Sequence, residues 1–304
     1  NVKKAMLPIF AALGGMLLPA AIYAAFNPGT ETSSGWGIPM ATDIAFALAI
    51  LSMLGDRVPT SLKIFLSALA IADDLGAILV IAVFYTDEVH LSYLLFAAGI
   101  VALLIVLNRL NVTNLAFYLI PGLFLWYFVH HSGIHATIAG VLLAFTVPTN
   151  VGSHASPLER LEHWIAKPVN FLIMPLFALA NTNIRFESGM VSGLTSNMGL
   201  GIILGLIVGK SVGIAAFSWI SVKLGLSTLP RFSGWKHIIG LGFVAGIGFT
   251  MSIFVSLLSF SDLEHQSEAK FAILTASVLS GLIGYTYLSF LSKRIRKKDL
   301  IAEG

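Results

Sequence analysis

An all-α polytopic membrane protein with about ten transmembrane helices is the fold class this sequence predicts, and three observations predict it. Of 304 residues, 57% are hydrophobic and only 11% are charged, against roughly 25% charged in soluble domains. The apolar residues fall into ten runs of spanning length, separated by short connectors rich in turn residues such as NPGTETSSG, GDRVP and TNVGSHASP. The basic residues then sort by side. Threading ten spans puts Lys3, Lys4, Arg57, Lys63, Arg109, Arg160, Lys167, Lys223, Arg231, Lys236, Lys293, Arg294, Arg296, Lys297 and Lys298 on one face. Only Arg185 and Lys270 fall on the other, a ratio of 15 to 2 that marks the first face as cytoplasmic and both termini with it.

Taken in order, the runs are 5–26, 38–54, 61–86, 91–108, 114–130, 133–148, 165–181, 197–222, 237–260 and 270–291. The first carries two lysines ahead of an apolar stretch longer than the roughly 7–15 residues of a signal-peptide core, so it reads as a retained helix. The fifth and sixth are nearly continuous across His130–Gly133. The tail 293–304, KRIRKKDLIAEG, could meet anionic lipid but reads first as a positive-inside anchor on the cytoplasmic face. With no cysteine, disulfide and thiolate chemistry are absent, and a net charge of +3 gives no reason to expect nucleic acid.

Two spans are interrupted. The second has Gly35, Gly37 and Pro39 shortly before Asp43; the ninth has Gly240, Gly242, Gly246 and Gly248 in its first half. Glycine and proline at membrane depth free backbone groups, which is tolerated where they line a cavity. Spans one to three and eight to ten form two triplets with the interrupted member in the middle, and an odd offset of seven spans sets them in opposite directions. That is an inverted three-helix repeat, the arrangement that alternating access uses. The chain accordingly divides into a first repeat (1–86), four intervening helices (87–181), a second repeat (182–292) and the basic tail (293–304).

Four ionisable residues lie inside spans: Asp43, Asp73, Asp74 and Lys210. Each central Asp opposes insertion by about 2.5–3.5 kcal/mol, while each Leu, Ile, Val or Phe favours it by about 0.3–0.6. The third span, LKIFLSALAIADDLGAILVIAVFY, therefore inserts near break-even. One structural salt bridge with Lys210 would account for one aspartate and leave two unexplained. Intramembrane ionisable residues mark functional sites. Both Asp73 and Lys210 sit about 20 Å into their spans at 1.5 Å per residue, near the midplane. Consecutive residues point about 100° apart on a helix, so Asp74 can face a cavity while Asp73 faces Lys210. Carboxylates without Cys or clustered His suit a hard cation, and protons compete for the same oxygens. A site that holds either, reached alternately from each side, is an antiporter.

These residues resemble the NhaA family of bacterial sodium/proton antiporters along nearly the whole chain. The resemblance rests on ATDIAF at 41–46, LKIFLSALAIADDLGAI at 62–78, SGIHATIAG at 132–140, RLEH at 160–163, PLFALAN at 175–181, GK at 209–210 and GIGFTMSIF at 246–254. It implies the NhaA-like fold, no enzymatic activity, no cofactor, and Na⁺, Li⁺ and H⁺ as transported species in the lipid bilayer of the inner membrane. It implies that Asp73 and Asp74 bind the cation and the protons, with Lys210 pairing Asp73 in one state. Asp43 and Thr42 would lie at the unwound crossing and balance the positive half-helix ends. Pro39, Gly246, Gly248 and Phe249 would form the crossing itself. Exchange would be electrogenic, two protons per cation, the second carried by an Asp or by Lys210. Glu162 and His163 would sense pH, against the plain reading of a solvated helix start with a capping acid; His135 reads as a packed histidine. Family members usually have two further spans at the start that contribute to a homodimer contact, and the chain begins where their third begins. Ala166 stands where a second histidine would accompany His163.

Three other functions fit the residues less well than exchange. A sodium-coupled solute symporter shares the fold class, but Lys210 is the sole basic residue at depth to meet an organic anion. An intramembrane aspartyl protease would need a GxGD element, which the chain lacks. A channel favours weak, fast occupancy over paired buried acids.

Overall fold

The computed structural model describes residues 2–86, 89–149, 156–184 and 190–302, with the side chains of Val2, Lys4 and 293–302 outside the description. The expectations that rest on Arg185 and on the basic side chains of the tail therefore lie outside the described residues. Helices make up most of the described residues, and no strand occurs among them.

Each of the ten apolar runs carries helix. The elements are α1 (Val2–Phe26), a 3₁₀ helix Ser33–Met40, α2 (Ile44–Met53), α3 (Thr60–Phe84), α4 (Leu91–Arg109), α5 (Ala116–His131), α6 (Thr137–Thr146) and α7 (Pro157–Pro168). A π turn, Val169–Ile173, joins α7 to α8 (Met174–Asn181), and the short α9 (Met190–Gly193) follows. A second π turn, Gly205–Gly209, joins α10 (Asn197–Leu204) to α11 (Lys210–Lys223); α12 (Trp235–Ala245), α13 (Phe249–Ser259) and α14 (Leu263–Ala302) complete the chain.

Seven of these helices or composite helices are long and apolar enough to cross a membrane, and α12 with α13, bent by 50°, makes an eighth. The expected fifth and sixth spans are shorter than a full crossing: α5 has 16 residues and α6 has 10, against the roughly 17–25 a spanning helix needs. The seventh begins at Pro157, earlier than the expected 165, because Ser156 and Glu159 close a capping box there. Glu159 N–H donates to Ser156 Oγ at 3.2 Å and Ser156 N–H to Glu159 Oε2 at 2.8 Å. The capping acid of that helix is thus Glu159, not Glu162.

The chain divides into two compact units, residues 1–77 with 181–304 and residues 78–180. In the first, Leu7, Ala11, Leu51, Leu62, Leu66, Ile214 and Leu241 belong to one buried apolar cluster. Small residues bring its helices close: a methyl on Gly14 would overlap the carbonyl oxygen of Gly213, and one on Gly213 would overlap that of Gly14. The backbones of α1 and α11 therefore touch. In the second unit, Leu104, Tyr118, Leu125 and Val129 anchor a smaller core on α4, α5 and α6. Large apolar side chains such as Leu17, Ile71, Phe171, Leu179 and Phe290 lie exposed, as the lipid-facing surface of a helical membrane protein requires.

Candidate functional site

The site grows from two breaks in helices of the first unit. Met40 ends the 3₁₀ helix, which cannot continue past Pro39 as regular α structure; Ala41 and Asp43 are extended, and α2 begins at Ile44. On the other side α12 stops at Ala245 and α13 starts at Phe249. The two breaks are bonded to one another: Asp43 N–H donates to Ile247 C=O at 2.7 Å. Gly246 seats this break closely on two further elements, because a methyl there would overlap both the Leu206 carbonyl oxygen and Ser280 Oγ.

Four helix ends meet at this point; the start of α2 is capped by its own Asp43, and the other three are met by side chains of the opposite broken span. Asp43 Oδ1 accepts Phe46 N–H at 3.1 Å and so caps α2; its Oδ2 accepts Thr250 N–H at 3.1 Å and Thr250 Oγ1–H at 2.5 Å and so caps α13. One carboxylate thereby serves two positive helix N-termini. Phe249 N–H, also in the first turn of α13, donates to Ser277 Oγ at 3.1 Å. The negative ends are met by hydroxyls: Thr42 Oγ1 stands 2.8 Å from Ala245 C=O at the end of α12, and Ser252 Oγ donates to Ile38 C=O at 2.7 Å. Phe46 and Phe249 pack edge to face at 4.9 Å over the crossing.

Asp73 and Lys210 form a salt bridge in which both side chains are fully buried. Thr42 Oγ1 also lies 2.9 Å from Asp73 Oδ2; its one hydroxyl hydrogen serves either this carboxylate or the Ala245 carbonyl, so the buried pair and the α12 terminus compete for one donor. Lys210 comes directly after the π turn, where its N–H bonds to Gly205 C=O five residues back. The turn inserts an extra residue into the helix and rotates Lys210 relative to the preceding turn. Asp74 is half-buried. Two oxygens, Asp73 Oδ1 and Asp74 Oδ1, are buried without a hydrogen-bond partner. Buried carboxylate oxygens left bare are uncommon; carried by consecutive residues of α3, they are hard anionic ligands suited to a cation or a proton.

The expected residues Asp73, Asp74, Lys210, Asp43, Thr42, Pro39, Gly246, Gly248 and Phe249 all fall within the first unit and at or beside the two breaks. Glu162 and His163 fall in the second unit, exposed on α7. Sequence reading missed Thr250, Ser252, Ser277 and the Ala245 carbonyl. The signal for Thr250 was available: a Thr two residues past a glycine break sits where a hydroxyl bonds the opposing cap.

A helical bundle whose broken spans cross over a buried acid–base group belongs to the polytopic membrane transporters. The chain is a member of the family described as Na+/H+ antiporter 1, whose pattern it matches over residues 1–288. It is 63% identical to the Na(+)/H(+) antiporter NhaA 2 of Flavobacterium johnsoniae over 96% of this chain and 72% of that protein. It is 55% identical to the Na(+)/H(+) antiporter NhaA of Flavobacterium psychrophilum over 96% and 76%. The corresponding protein of Cytophaga hutchinsonii is 52% identical over 100% of this chain and 78% of its own length.

Proposed function

We propose that this chain exchanges Na⁺ or Li⁺ from the cytoplasm for external protons, as a multi-pass protein of the bacterial inner membrane with both termini cytoplasmic. The observation that carries the reading is the pair of unpartnered oxygens on Asp73 and Asp74 beside a buried lysine. Those two oxygens bind the cation. With the ion bound, Asp73 shares its charge with a second positive centre and its hold on Lys210 weakens. When the cation leaves, protons return and the salt bridge closes again. Two protons move per cation, supplied by both carboxylates or by one carboxylate and Lys210, so exchange is electrogenic.

Asp43 and Thr42 hold the crossing together through the cycle, and the two triplets, 1–86 and 182–292, act as opposed halves of an inverted repeat. Glu162 and His163 are exposed on α7, where a change in their charge meets solvent directly; they make exchange pH-dependent.

Purified protein reconstituted in vesicles with an internal pH-reporting dye tests this. Addition of Na⁺ should move protons in the wild type, and neither Asp73→Asn nor Asp74→Asn should support the exchange. Na⁺-driven proton movement persisting in both variants would overturn the assignment.

A further inference from the structure

An apolar groove of about 490 Å³ runs between α11 and α12 and is lined by Val208, Val212, Ala215, Trp219, Trp235 and Phe243, with none of the ion-site side chains in its wall. It runs for about 16 Å from Val208 in the π turn along α11 to Trp219. Its two tryptophans stand at the same end, and Trp219 is 49% exposed there. Exposed Lys223 places its Nζ 4.6 Å above the Trp219 ring, and exposed Lys236 follows Trp235. Tryptophan and lysine together are the signature of the headgroup level of a bilayer. From Asn197 to Phe260 the sequence contains no Asp or Glu at all, so nothing on these helices offsets the positive end of the groove.

The connection between the two helices is built to the same purpose. Ser233 N–H bonds to Pro230 C=O at 3.2 Å, and Ser61 Oγ–H holds the Arg231 carbonyl. Within that turn Phe232 adopts a φ of +57°, a left-handed conformation that bulky side chains rarely accept, and is 89% exposed. A turn bonded in this way keeps the strain, and the result is a large aromatic displayed next to Arg231 in the connection between the two helices that line the groove.

We propose that this groove binds one anionic phospholipid, an acyl chain lying against Val212, Ala215 and Phe243 and the phosphate held by Lys223 and Lys236. Charge complementarity selects the headgroup and the groove accepts the chain; basic side chains at a membrane surface favour anionic lipid in this way. The inference relies on the exchange reading only for the leaflet, which is the cytoplasmic one.

A phosphatidylglycerol carrying a diazirine on its acyl chain tests it on the whole protein in vesicles, with labelled residues mapped by mass spectrometry. Labelling should concentrate on residues 208–243 and exceed that by the matching phosphatidylcholine probe. Lys223→Gln with Lys236→Gln should lower it by about fivefold per lysine removed, and Val212→Trp should block it by filling the groove. Because the chain has no cysteine, Val212→Cys reports the competing occupant: disulfide-linked dimers in the membrane would show a second copy seated there. Equal labelling by the two lipids, labelling insensitive to the lysine pair, or such dimers would each overturn the proposal. The readout is binding, so it stands or falls separately from cation exchange.

Discussion

Asp43 and Thr250, far apart in the sequence, share two hydrogen bonds: Thr250 donates its backbone N–H at 3.1 Å and its hydroxyl at 2.5 Å to the same carboxylate oxygen. With Phe46 N–H on the other oxygen, a single side chain closes the starts of two helices that belong to different broken spans. Its removal should act on both at once.

Asp43→Ala strips the caps from α2 and α13 together, and each lost cap costs about 0.5–2 kcal/mol. Asn should do little better, because its amide group would turn a donor toward either Phe46 N–H or the two Thr250 donors. Both variants should melt well below the wild type in detergent. An Asp43→Ala protein melting with the wild type would contradict the double-cap role.

Lys210→Met leaves Asp73 buried without its cation, a change that destabilises by about 3–5 kcal/mol in comparable buried pairs. Combining it with Asp73→Asn removes both charges, and much of the stability should return although exchange stays lost. Thermal unfolding of the four proteins completes the cycle. Additive losses in the double variant would mean that the two groups do not depend on each other.

Thr42→Val keeps the shape and deletes the hydroxyl, leaving Ala245 C=O without the donor 2.8 Å away. An unmet buried acceptor costs about 1–3 kcal/mol. Thr42→Ser should restore both stability and the apparent Na⁺ affinity, measured from the cation dependence of exchange. Equal behaviour of Val and Ser would show that only volume matters at this position.

Gly246→Ala would drive a methyl into the backbone oxygen of Leu206 and into Ser280 Oγ, so yield of folded protein should fall sharply. Ser280→Ala should not rescue it, since the Leu206 carbonyl remains in the way. Gly140→Ala is the matched control, with open space around the position. Full-yield Gly246→Ala protein would argue against so close a packing of this break on Leu206 and Ser280.

The sequence made the charged half of the site visible, and physics explains why. Asp43, Asp73, Asp74 and Lys210 oppose insertion by kilocalories each, so their presence in apolar runs cannot pass as background. Pro39 and the glycines marked the breaks for the same reason. Thr250 was readable from its place two residues past Gly248, but Ser252 and Ser277 were silent, because small hydroxyl residues are ordinary in membrane helices and only the fold gives them partners. The Ala245 carbonyl has no signature in any sequence. The π turn at Gly205–Gly209 was equally hidden, since one extra residue in a helical turn alters neither composition nor length. The early start at Pro157 was readable from Ser156 and Glu159, but hydropathy outweighed it.

The contact between Gly14 and Gly213 constrains how the protein can move. Two backbones that lie directly on one another, with no side chain between them, cannot slide or roll independently, so the segment bearing Lys210 must carry α1 with it. Paired nitroxides, one on each of these helices, should report a single unchanging separation whether sodium is supplied or withheld.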